Sequence, residues 1–304
     1  MKHLLKMSDL SKEEIISILD LADQLKYEQK NHIPHPLLAG KSLGMIFQKS
    51  STRTRVSFEV GMYQLGGQAL FLSSNDLQIG RGEPVQDTAR VLSCYLDGIM
   101  IRTFAQKEVE DLAAYGSIPV INGLTDYAHP CQVLADLMTI REKYAALEGI
   151  KLCYIGDGNN MANSLIVGGL KMGMKVAVAA PEGYHPDPAV LDFAAGNPDF
   201  LLTGDPALAA ADADVVYTDT WASMGQEKEK AERLKAFAGY QVNEELLKNA
   251  KPGCMVQHCL PAYRGQEITE DVFEAHADEL FEEAENRLHV QKAVLVKLMG
   301  EEQR

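Results

Sequence analysis

The feature that most constrains the fold is an alternation of short apolar, β-rich runs with helical segments along most of the chain. The runs in the first half are KSLGMIF, QALFL, DGIMIR and IPVING, and those in the second half are KLCYIG, KVAVAAP, ADVVYT and CMVQHC. Strands that alternate with helices form parallel sheets with helices on both faces. The sequence therefore predicts an α/β protein of two domains, each a doubly wound parallel sheet with four of these runs.

The predicted domain boundary lies in REKYAALEGI, a charged helical segment at residues 141–150. We expect one domain over residues 1–141 and a second over residues 142–287, with a C-terminal helix at 288–304 that packs back on the first. Ligands of parallel α/β sheets bind beyond the carboxyl ends of the strands. Unusual polar sequences follow six of these strands, which indicates a binding site at this edge of the sheets.

Composition narrows the class of partner, because the formal net charge is −14 and 24% of the residues are charged. Nucleic acid and anionic membrane surfaces need a broad basic face, so neither is an expected partner, and no apolar run is long enough to span a membrane. The five cysteines include no C-x-x-C pair, which argues against a disulfide framework and favours a reducing cytoplasm. Ser11 and Glu14 form a predicted capping box, so the N-terminal segment is expected to be a helix and not a signal peptide.

STRTR, residues 51–55, lies where the first strand turns into a helix. Free backbone N–H groups and the helix dipole favour an anion at such a position. Hydroxyl donors and a guanidinium group that suit phosphate oxygens come from Ser51, Thr52, Thr54 and Arg53. An ordinary Ser or Thr cap beside surface arginines explains these residues about equally well. Arg55 points away from Arg53 and is expected to pair with Glu59 one turn later.

Two further motifs place a reactive side chain beside a proline. In HPCQ, Pro130 suits the first turn of a helix, so His129 and Gln132 are expected at the strand edge, where a histidine donates to a carbonyl oxygen. In HCLP, Cys259 follows an apolar strand and precedes the Leu260–Pro261 bond, which is a candidate for the cis form. A capping histidine and a buried, inert thiol are the commoner roles of such residues.

Polar turns follow two strands of the second half. DTWASMG places Asp219 at a strand end and Ser223 four residues later; the carboxylate suits an ammonium group, and a helix cap is the alternative. GDGNNMANS lacks the third glycine of a dinucleotide turn. We therefore expect a polar pocket with Asn159 and Asn160 and not an NAD site.

Taken in order, STRTR, HPCQ, DTWASMG and HCLPAYRG resemble the aspartate/ornithine carbamoyltransferase family, and the resemblance spans from LSKEEI to AENR. DTWASMG and HCLP are the elements that decide the amine substrate, and they are expected in the ornithine branch of the family. The resemblance implies transfer of the carbamoyl group of carbamoyl phosphate to the side-chain amine of L-ornithine, giving L-citrulline and phosphate. One departure is Gln48, which stands where the family usually has an acidic residue.

The resemblance also implies a role for each motif residue. Carbamoyl phosphate is expected to contact Ser51, Thr52, Arg53, Thr54, Gln78 of a neighbouring subunit, Arg102, His129, Pro130, Cys131, Gln132, Cys259, Leu260 and Arg287. Ornithine is expected to contact Asn160, Asp219, Ser223 and Met224. The implied catalytic residues are Arg102, His129 and Cys259, and either Cys259 or the leaving phosphate takes the proton of the amine.

No metal or cofactor is expected, because arginines neutralise the phosphate and no carboxylate or histidine cluster has ligand spacing. The resemblance also implies an active site in the cleft between the two domains, and a homotrimer, or a higher multiple of trimers, in the cytoplasm. The sequence leaves open whether the enzyme serves arginine synthesis or arginine breakdown. Two alternatives also stay open, namely a related carbamoyltransferase that uses putrescine or an acylated ornithine, and a non-catalytic protein that binds carbamoyl phosphate.

Overall fold

The computed structural model describes residues 1–75, 77, 78, 82–223 and 225–300. The contacts within the chain divide it into two units. One unit comprises Met1–Ala135 together with the segment that begins at Asn286, and the other comprises Asp136–Glu285. The domain bounds expected from the sequence, with their functional assignments, stay a prediction.

A parallel sheet with the strand order β2-β1-β3-β4 forms the centre of the first unit. Its strands are β1 (Ser42–Phe47), β2 (Gln68–Ser73), β3 (Gly98–Arg102) and β4 (Val120–Leu124). Each strand coincides with an apolar run of the first half, so these predictions are confirmed. The helices are α1 (Lys12–Lys30), α2 (Thr52–Gln64), α3 (Val85–Ser93), α4 (Gln106–Tyr115) and α5 (Pro130–Tyr144), of which α5 continues into the second unit.

The sheet of the second unit has the strand order β7-β6-β5-β8-β9 and is parallel throughout. Its strands are β5 (Lys151–Ile155), β6 (Lys175–Ala179), β7 (Phe200–Thr203), β8 (Val215–Thr218) and β9 (Met255–His258). The helices are α6 (Asn160–Lys171), α7 (Pro188–Ala194), α8 (Pro206–Ala210), α9 (Lys230–Ala236), α10 (Glu244–Leu247), α11 (Glu270–Ala275) and α12 (Ala277–Met299), of which α12 continues into the first unit.

β7 is a strand that the sequence analysis missed, so the prediction of four strands in the second half was wrong. This strand has four residues, pairs only with β6 and leaves Leu201 37% exposed. A short edge strand needs little apolar sequence, because one side of it faces no neighbouring strand. DFLLTGD consequently lacks the longer apolar run that marks the central strands.

Local sequence signals explain where several helices begin and end. α1 begins with the predicted capping box, in which the Ser11 hydroxyl accepts from the Glu14 backbone N–H and the Glu14 carboxylate accepts from the Ser11 N–H. α2 ends at Gln64 and is followed by Gly66, whose φ of 77° lies in the left-handed region. The N–H groups of Gly66 and Gly67 donate to the carbonyls of Tyr63 and Met62, a pattern typical of a glycine-terminated helix. No helix among the described residues is long and apolar enough to cross a bilayer.

Each sheet reverses its strand order once, which identifies the edge where a ligand is expected. The reversal lies between β1 and β3 in the first unit and between β5 and β8 in the second. In doubly wound sheets, the carboxyl ends of the strands at such a point border the binding crevice. The segments that follow these four strands therefore contain the candidate site of each unit.

Candidate active site

The N-terminus of α2 lies directly after β1 and forms one wall of the first unit's candidate site. Ser51 is its N-cap, and the Ser51 hydroxyl accepts from the Thr54 backbone N–H at 3.2 Å. Thr52 is exposed and Arg53 is half-buried, whereas Thr54 is fully buried. The cap interpretation of Ser51 and the phosphate interpretation are compatible, because one cap leaves other first-turn N–H groups available to an anion.

Arg287 joins two of the predicted motifs within the first unit. One of its guanidinium nitrogens donates to Gln132 Oε1 at 2.7 Å, and another donates to Thr54 Oγ1 at 3.1 Å. Arg287, Gln132 and Thr54 are each at most 4% exposed. The structure thus brings STRTR, HPCQ and AENR together, although they are far apart in the sequence.

His129 is buried among cations, and this decides its protonation state. Burial lowers the pKa of His129 well below 6.5, and the positive charges of Arg287, Arg102 and Arg53 lower this pKa further. The imidazole is therefore neutral near pH 7. A neutral imidazole can donate one hydrogen bond to a developing oxyanion without adding another charge to the site.

The remaining predicted residues of the first unit lie in varied environments. Arg102 ends β3 and is 6% exposed, and Pro130 begins α5 as predicted. Cys131 is fully buried, its Sγ lies 3.4 Å from the Asn122 carbonyl, and burial raises the pKa of its thiol to about 12. Gln78 is exposed, and its expected contact with a neighbouring subunit stays a prediction.

Two cations near STRTR, Arg55 and Lys49, are not assigned to phosphate binding, and each has another partner. Arg55 pairs with Glu59 at 3.0 Å, as predicted, and lies over the Phe71 ring. Lys49, to which the sequence analysis gave no role, pairs with Asp126 and lies 4.3 Å from the centre of the Phe104 ring.

Asp219 is the centre of the second unit's candidate site. Its Oδ2 accepts from Asn159 Nδ2 at 2.8 Å, and its Oδ1 accepts from the Thr220 backbone N–H at 2.7 Å and from the Cys259 thiol at 3.1 Å. An ionised carboxylate offers about four acceptor positions, so these three bonds from described residues leave one position for a further donor. The bonds hold the carboxylate in place at the ends of β5, β8 and β9.

The thiol of Cys259 is a hydrogen-bond donor. Burial raises its pKa well above 9.0, and the neighbouring Asp219 carboxylate raises this pKa further through its charge and its hydrogen bond. A neutral thiol cannot accept a proton as a thiolate does. Among the two proton acceptors left open by the sequence, this environment disfavours Cys259.

The turn after Cys259 is held by a buried histidine and a glutamate. Leu260 has a φ of 57°, and the Leu260–Pro261 bond is cis, as the sequence suggested. His258 Nδ1 accepts from the Leu260 N–H at 2.9 Å, and its Nε2 lies 3.1 Å from Glu267 Oε1. Nε2 therefore carries the proton and donates to Glu267.

Of the other residues expected to contact ornithine, Asn160 and Ser223 lie in the described part of the chain. Asn160 is 9% exposed and is the first residue of α6, and Ser223 is half-buried with its N–H 2.9 Å from Gln226 Oε1. Met224 lies outside the described residues. Asn159 caps α6 and donates a hydrogen bond to Asp219, so it contacts the candidate site directly.

The sequence analysis missed an ion pair that joins two polar turns. Arg233 of α9 donates to Asp157 Oδ2 at 2.8 Å and to the Trp221 carbonyl at 3.0 Å. Burial raises the pKa of Asp157 to about 6, whereas the Arg233 charge acts in the opposite direction. Arg233 lies 76 positions from Asp157, and no local spacing signal links them.

One cluster has a composition that can hold a cation. The ligand atoms of Asp219, His258 and Cys259 lie within 4.8 Å of one another. Both ring nitrogens of His258 are already hydrogen-bonded, to Leu260 and Glu267, and the thiol donates to Asp219. A metal would have to displace these bonds, so the arrangement fits a hydrogen-bonded turn better than a metal centre.

The chain forms two α/β units, each with a candidate site at the carboxyl ends of its strands, and two family models assign it to a class of transferases. Residues 2–142 match the carbamoyl-P binding domain of aspartate/ornithine carbamoyltransferase. Residues 148–298 match the Asp/Orn binding domain of the same family. The chain belongs to the aspartate/ornithine carbamoyltransferase family.

The similar proteins that follow are all named ornithine carbamoyltransferase. The chain is 55% identical to the ornithine carbamoyltransferase of Thermococcus kodakarensis, over 98% of this chain and 96% of that protein. It is 58% identical to the ornithine carbamoyltransferase of Anoxybacillus flavithermus, over 98% of this chain and 96% of that protein. The solved structure of the Pyrococcus furiosus enzyme matches with a TM-score of 0.94 at 55% identity, over 98% of this chain and 97% of the other.

Proposed function

We propose that this chain transfers the carbamoyl group of carbamoyl phosphate to the side-chain amine of L-ornithine, giving L-citrulline and phosphate. The observation that carries the proposal is the neutral, buried His129 surrounded by the charges of Arg53, Arg102 and Arg287. His129, Arg53 and Arg102 belong to residues 2–142, which match a carbamoyl-phosphate-binding domain, whereas Arg287 belongs to residues 148–298, which match an Asp/Orn binding domain. Full-length relatives that are at least 55% identical are named ornithine carbamoyltransferase, which supports the choice of amine.

In the proposed site of the first unit, the α2 N-terminus and the Arg53 guanidinium bind the phosphate oxygens. Arg102 and Arg287 neutralise the charge that grows on the leaving phosphate. His129 donates to the carbamoyl oxygen as negative charge develops on it, and Gln132 contacts the amide. Fixed donors of this kind stabilise a transition state because they need no reorganisation during the reaction.

In the proposed site of the second unit, Asp219 accepts from the α-ammonium group of ornithine, with Ser223 beside it. Asn160 and the backbone near Met224 bind the carboxylate of ornithine. The carbonyls of Cys259 and Leu260 accept from the carbamoyl NH2 group. An expected site between the two domains stays part of this proposal.

The reaction forms a bond from the ornithine side-chain nitrogen to the carbamoyl carbon and breaks the bond from that carbon to the phosphate oxygen. The nitrogen then loses a proton. Because the Cys259 pKa is raised well above 9.0, we assign the proton to the leaving phosphate. The thiol keeps Asp219 oriented through its hydrogen bond at 3.1 Å.

Two substitutions separate the proposed half-reactions. Arg53→Ala is expected to weaken carbamoyl phosphate binding by about a hundredfold, because it removes charge-assisted hydrogen bonds. Asp219→Ala is expected to raise the KM for ornithine by at least about tenfold with little effect on carbamoyl phosphate. Citrulline formation and both KM values are the measurements.

The controls are matched charges that lie outside the proposed site. Arg55→Ala removes a guanidinium two residues from Arg53 that pairs with Glu59. Asp192→Ala removes an exposed carboxylate of α7. The absence of citrulline from the wild-type chain at saturating substrates contradicts the activity, and exchanged phenotypes of the Arg53 and Asp219 variants contradict the roles.

The assembly and the metabolic direction are also proposals. A homotrimer is proposed, in which Gln78 reaches the carbamoyl phosphate of a neighbouring subunit, and the cytoplasm is the proposed compartment. A relative from Pyrococcus furiosus that is 55% identical is named as anabolic, which supports a role in arginine biosynthesis. Native mass measures the assembly, and loss of citrulline formation in Gln78→Ala trimers tests the shared site.

A further inference from the structure

Glu108 lies in the first turn of α4 and accepts hydrogen bonds from two segments that flank the proposed carbamoyl phosphate site. Its Oε2 accepts from Gln48 Nε2 at 3.1 Å and also from the Thr103 hydroxyl. Gln48 is the residue that follows β1, and Thr103 is the residue that follows β3. A single carboxylate oxygen therefore joins the two strands between which the sheet order reverses.

Both partners of Glu108 are directly connected to the proposed phosphate-binding residues. The Gln48 backbone N–H donates to the Arg102 carbonyl at 2.9 Å, and Thr103 is fully buried and adjoins Arg102 in the chain. Gln48 also lies three residues before Ser51, which caps α2. A displacement of either partner consequently moves Arg102 or the start of the STRTR segment.

The first turn of α4, which carries this carboxylate, is held in place by its own hydrogen bonds. Gln106, at the start of the helix, accepts through Oε1 from the Thr125 hydroxyl at 2.7 Å and from Asn122 Nδ2 at 3.3 Å. Its own amide donates to the Leu5 carbonyl at 3.3 Å. Since Asn122 and Thr125 belong to β4 and its following turn, the first turn of α4 is joined to the ends of all three neighbouring strands.

We propose that Glu108 is a positioning residue that, through Gln48 and Thr103, holds Arg102 and the start of the STRTR segment in place for carbamoyl phosphate; this rests on the proposed function. The pair is matched in chemistry, because the neutral Gln48 amide donates where a second carboxylate would repel Glu108. Gln48 and Glu108 thus form one hydrogen-bonded unit.

The first test removes the carboxylate. Glu108→Ala is expected to raise the KM for carbamoyl phosphate by about tenfold, since it leaves the Gln48 amide and the buried Thr103 hydroxyl without their acceptor. The KM for ornithine is expected to change less than about twofold. Glu110→Ala is the matched control, because Glu110 lies on the same helix, is exposed and pairs with Lys6 at 3.5 Å.

The second test exchanges the two side chains. Gln48→Glu places two carboxylates together and is expected to raise the KM for carbamoyl phosphate by about tenfold. In the double variant Gln48→Glu/Glu108→Gln, the new amide donates to the new carboxylate and its oxygen accepts from Thr103, so the KM is expected to return to within about threefold of the wild type. A residue that only stabilises α4 would not give this rescue.

Binding of inorganic phosphate, measured by titration calorimetry on the same variants, provides a readout that does not need turnover. If the wild type forms no citrulline, the proposed function fails, and phosphate affinity still tests the positioning role. The proposal is supported by weaker phosphate binding in Glu108→Ala and Gln48→Glu with recovery in the double variant. It is overturned if the double variant is no better than Gln48→Glu, or if Glu108→Ala changes neither KM for carbamoyl phosphate nor phosphate affinity.

Discussion

At the scale of single residues, burial keeps the two most reactive side chains of the candidate site uncharged. It lowers the pKa of His129 and raises the pKa of Cys259, because a low-dielectric environment disfavours the charged form of each group. The neighbouring charges act in the same direction, since cations surround the imidazole and Asp219 adjoins the thiol. Both side chains are therefore hydrogen-bond donors and not charged acids or bases near pH 7.

The lowered pKa of His129 gives the first prediction. The imidazole is expected to stay neutral from pH 8 down to pH 6.5, because its pKa lies well below 6.5. Nitrogen NMR of histidine-labelled protein measures this directly, with His129→Asn to assign the signal and the exposed His32 as an internal reference. A His129 signal that shifts with a midpoint between pH 6 and pH 7 would show that the arginines do not control it.

The cysteines give a second prediction at this scale. Cys94 is exposed, whereas burial raises the thiol pKa of Cys131, Cys153, Cys254 and Cys259. Iodoacetamide reacts with thiolates, so Cys94 is expected to be alkylated at least about tenfold faster than Cys259. Peptide mass spectrometry gives the rates, and Cys94→Ser is expected to abolish the fast phase. Equal rates for Cys94 and Cys259 would contradict a neutral, protected thiol.

At the scale of elements, α12 contains a buried lysine with an unusual partner. Lys292 is fully buried, and its Nζ lies 3.1 Å from His35 Nε2. His35 Nδ1 lies 3.0 Å from the Ile33 carbonyl, so Nδ1 carries the proton and Nε2 accepts from the lysine. Burial lowers the pKa of Lys292 to about 8, and the charge of Glu28 acts in the opposite direction.

The sign of this shift predicts how stability depends on pH. Between pH 8 and pH 10.5 the unfolded chain holds more protons on Lys292 than the folded chain, so the free energy of unfolding rises with pH through this window. Lys292→Met removes the cost of burying a charged lysine and is expected to stabilise the fold at pH 7 by about 1–3 kcal/mol. Urea unfolding at pH 7 and pH 9.5 is the measurement.

The comparison of the two proteins at both pH values isolates the lysine. Other titrating groups affect the wild type and the variant alike, so only the difference between them reports Lys292. Wild-type stability is expected to approach that of Lys292→Met at pH 9.5. A variant that is less stable than the wild type at both pH values would mean that the ammonium–His35 contact outweighs the cost of burial.

The elements also show how far the sequence predicts the fold and the site. β1, β3, β5 and β8 were predictable because buried parallel strands need continuous apolar runs, and the cap residues Ser11 and Gly66 determine helix ends locally. β7 was not, because this strand has four residues and its apolar run, FLL, is short. Contacts between distant segments, such as Arg287 with Thr54 or Arg233 with Asp157, depend on packing that no spacing rule encodes.

At the scale of the whole molecule, the two units repeat one arrangement at both edges of their central strand pairs. At the amino edge, Asp97 precedes β3 and accepts from the Ser42 N–H at 2.8 Å and from Lys41, while Asp214 precedes β8 and accepts from the Lys151 N–H at 2.9 Å and from Lys251.

The carboxyl edge of each pair carries the candidate site. In the first unit, Ser51 follows β1 and Arg102 is the last residue of β3; in the second unit, Asn159 follows β5 and Asp219 follows β8. The aspartates thus fix the register of each central pair at the edge opposite the polar groups. Each unit separates a structural edge from a ligand edge, which fits one substrate for each unit.

The last prediction concerns the pH dependence of the reaction as a whole. The attacking amine must be neutral, and an alkyl ammonium group has a pKa of about 10 in water. The pKa of His129 lies well below 6.5 and that of Cys259 well above 9.0, so neither group titrates between pH 6.5 and pH 8.5. The value of kcat/KM for ornithine is therefore expected to rise about tenfold per pH unit across this range, because it reports the free substrate and free enzyme.

Initial rates of citrulline formation at saturating carbamoyl phosphate measure this profile, and Cys259→Ser is the matched comparison. The serine variant is expected to be slower but to have the same slope, because a thiol that stays protonated contributes no ionisation to the profile. A plateau near pH 7.5 that is present in the wild type and absent in Cys259→Ser would instead identify Cys259 as the group that takes the proton. In that case the leaving phosphate would lose the role assigned to it here, while the positions of Asp219 and His129 in the reaction would be unaffected.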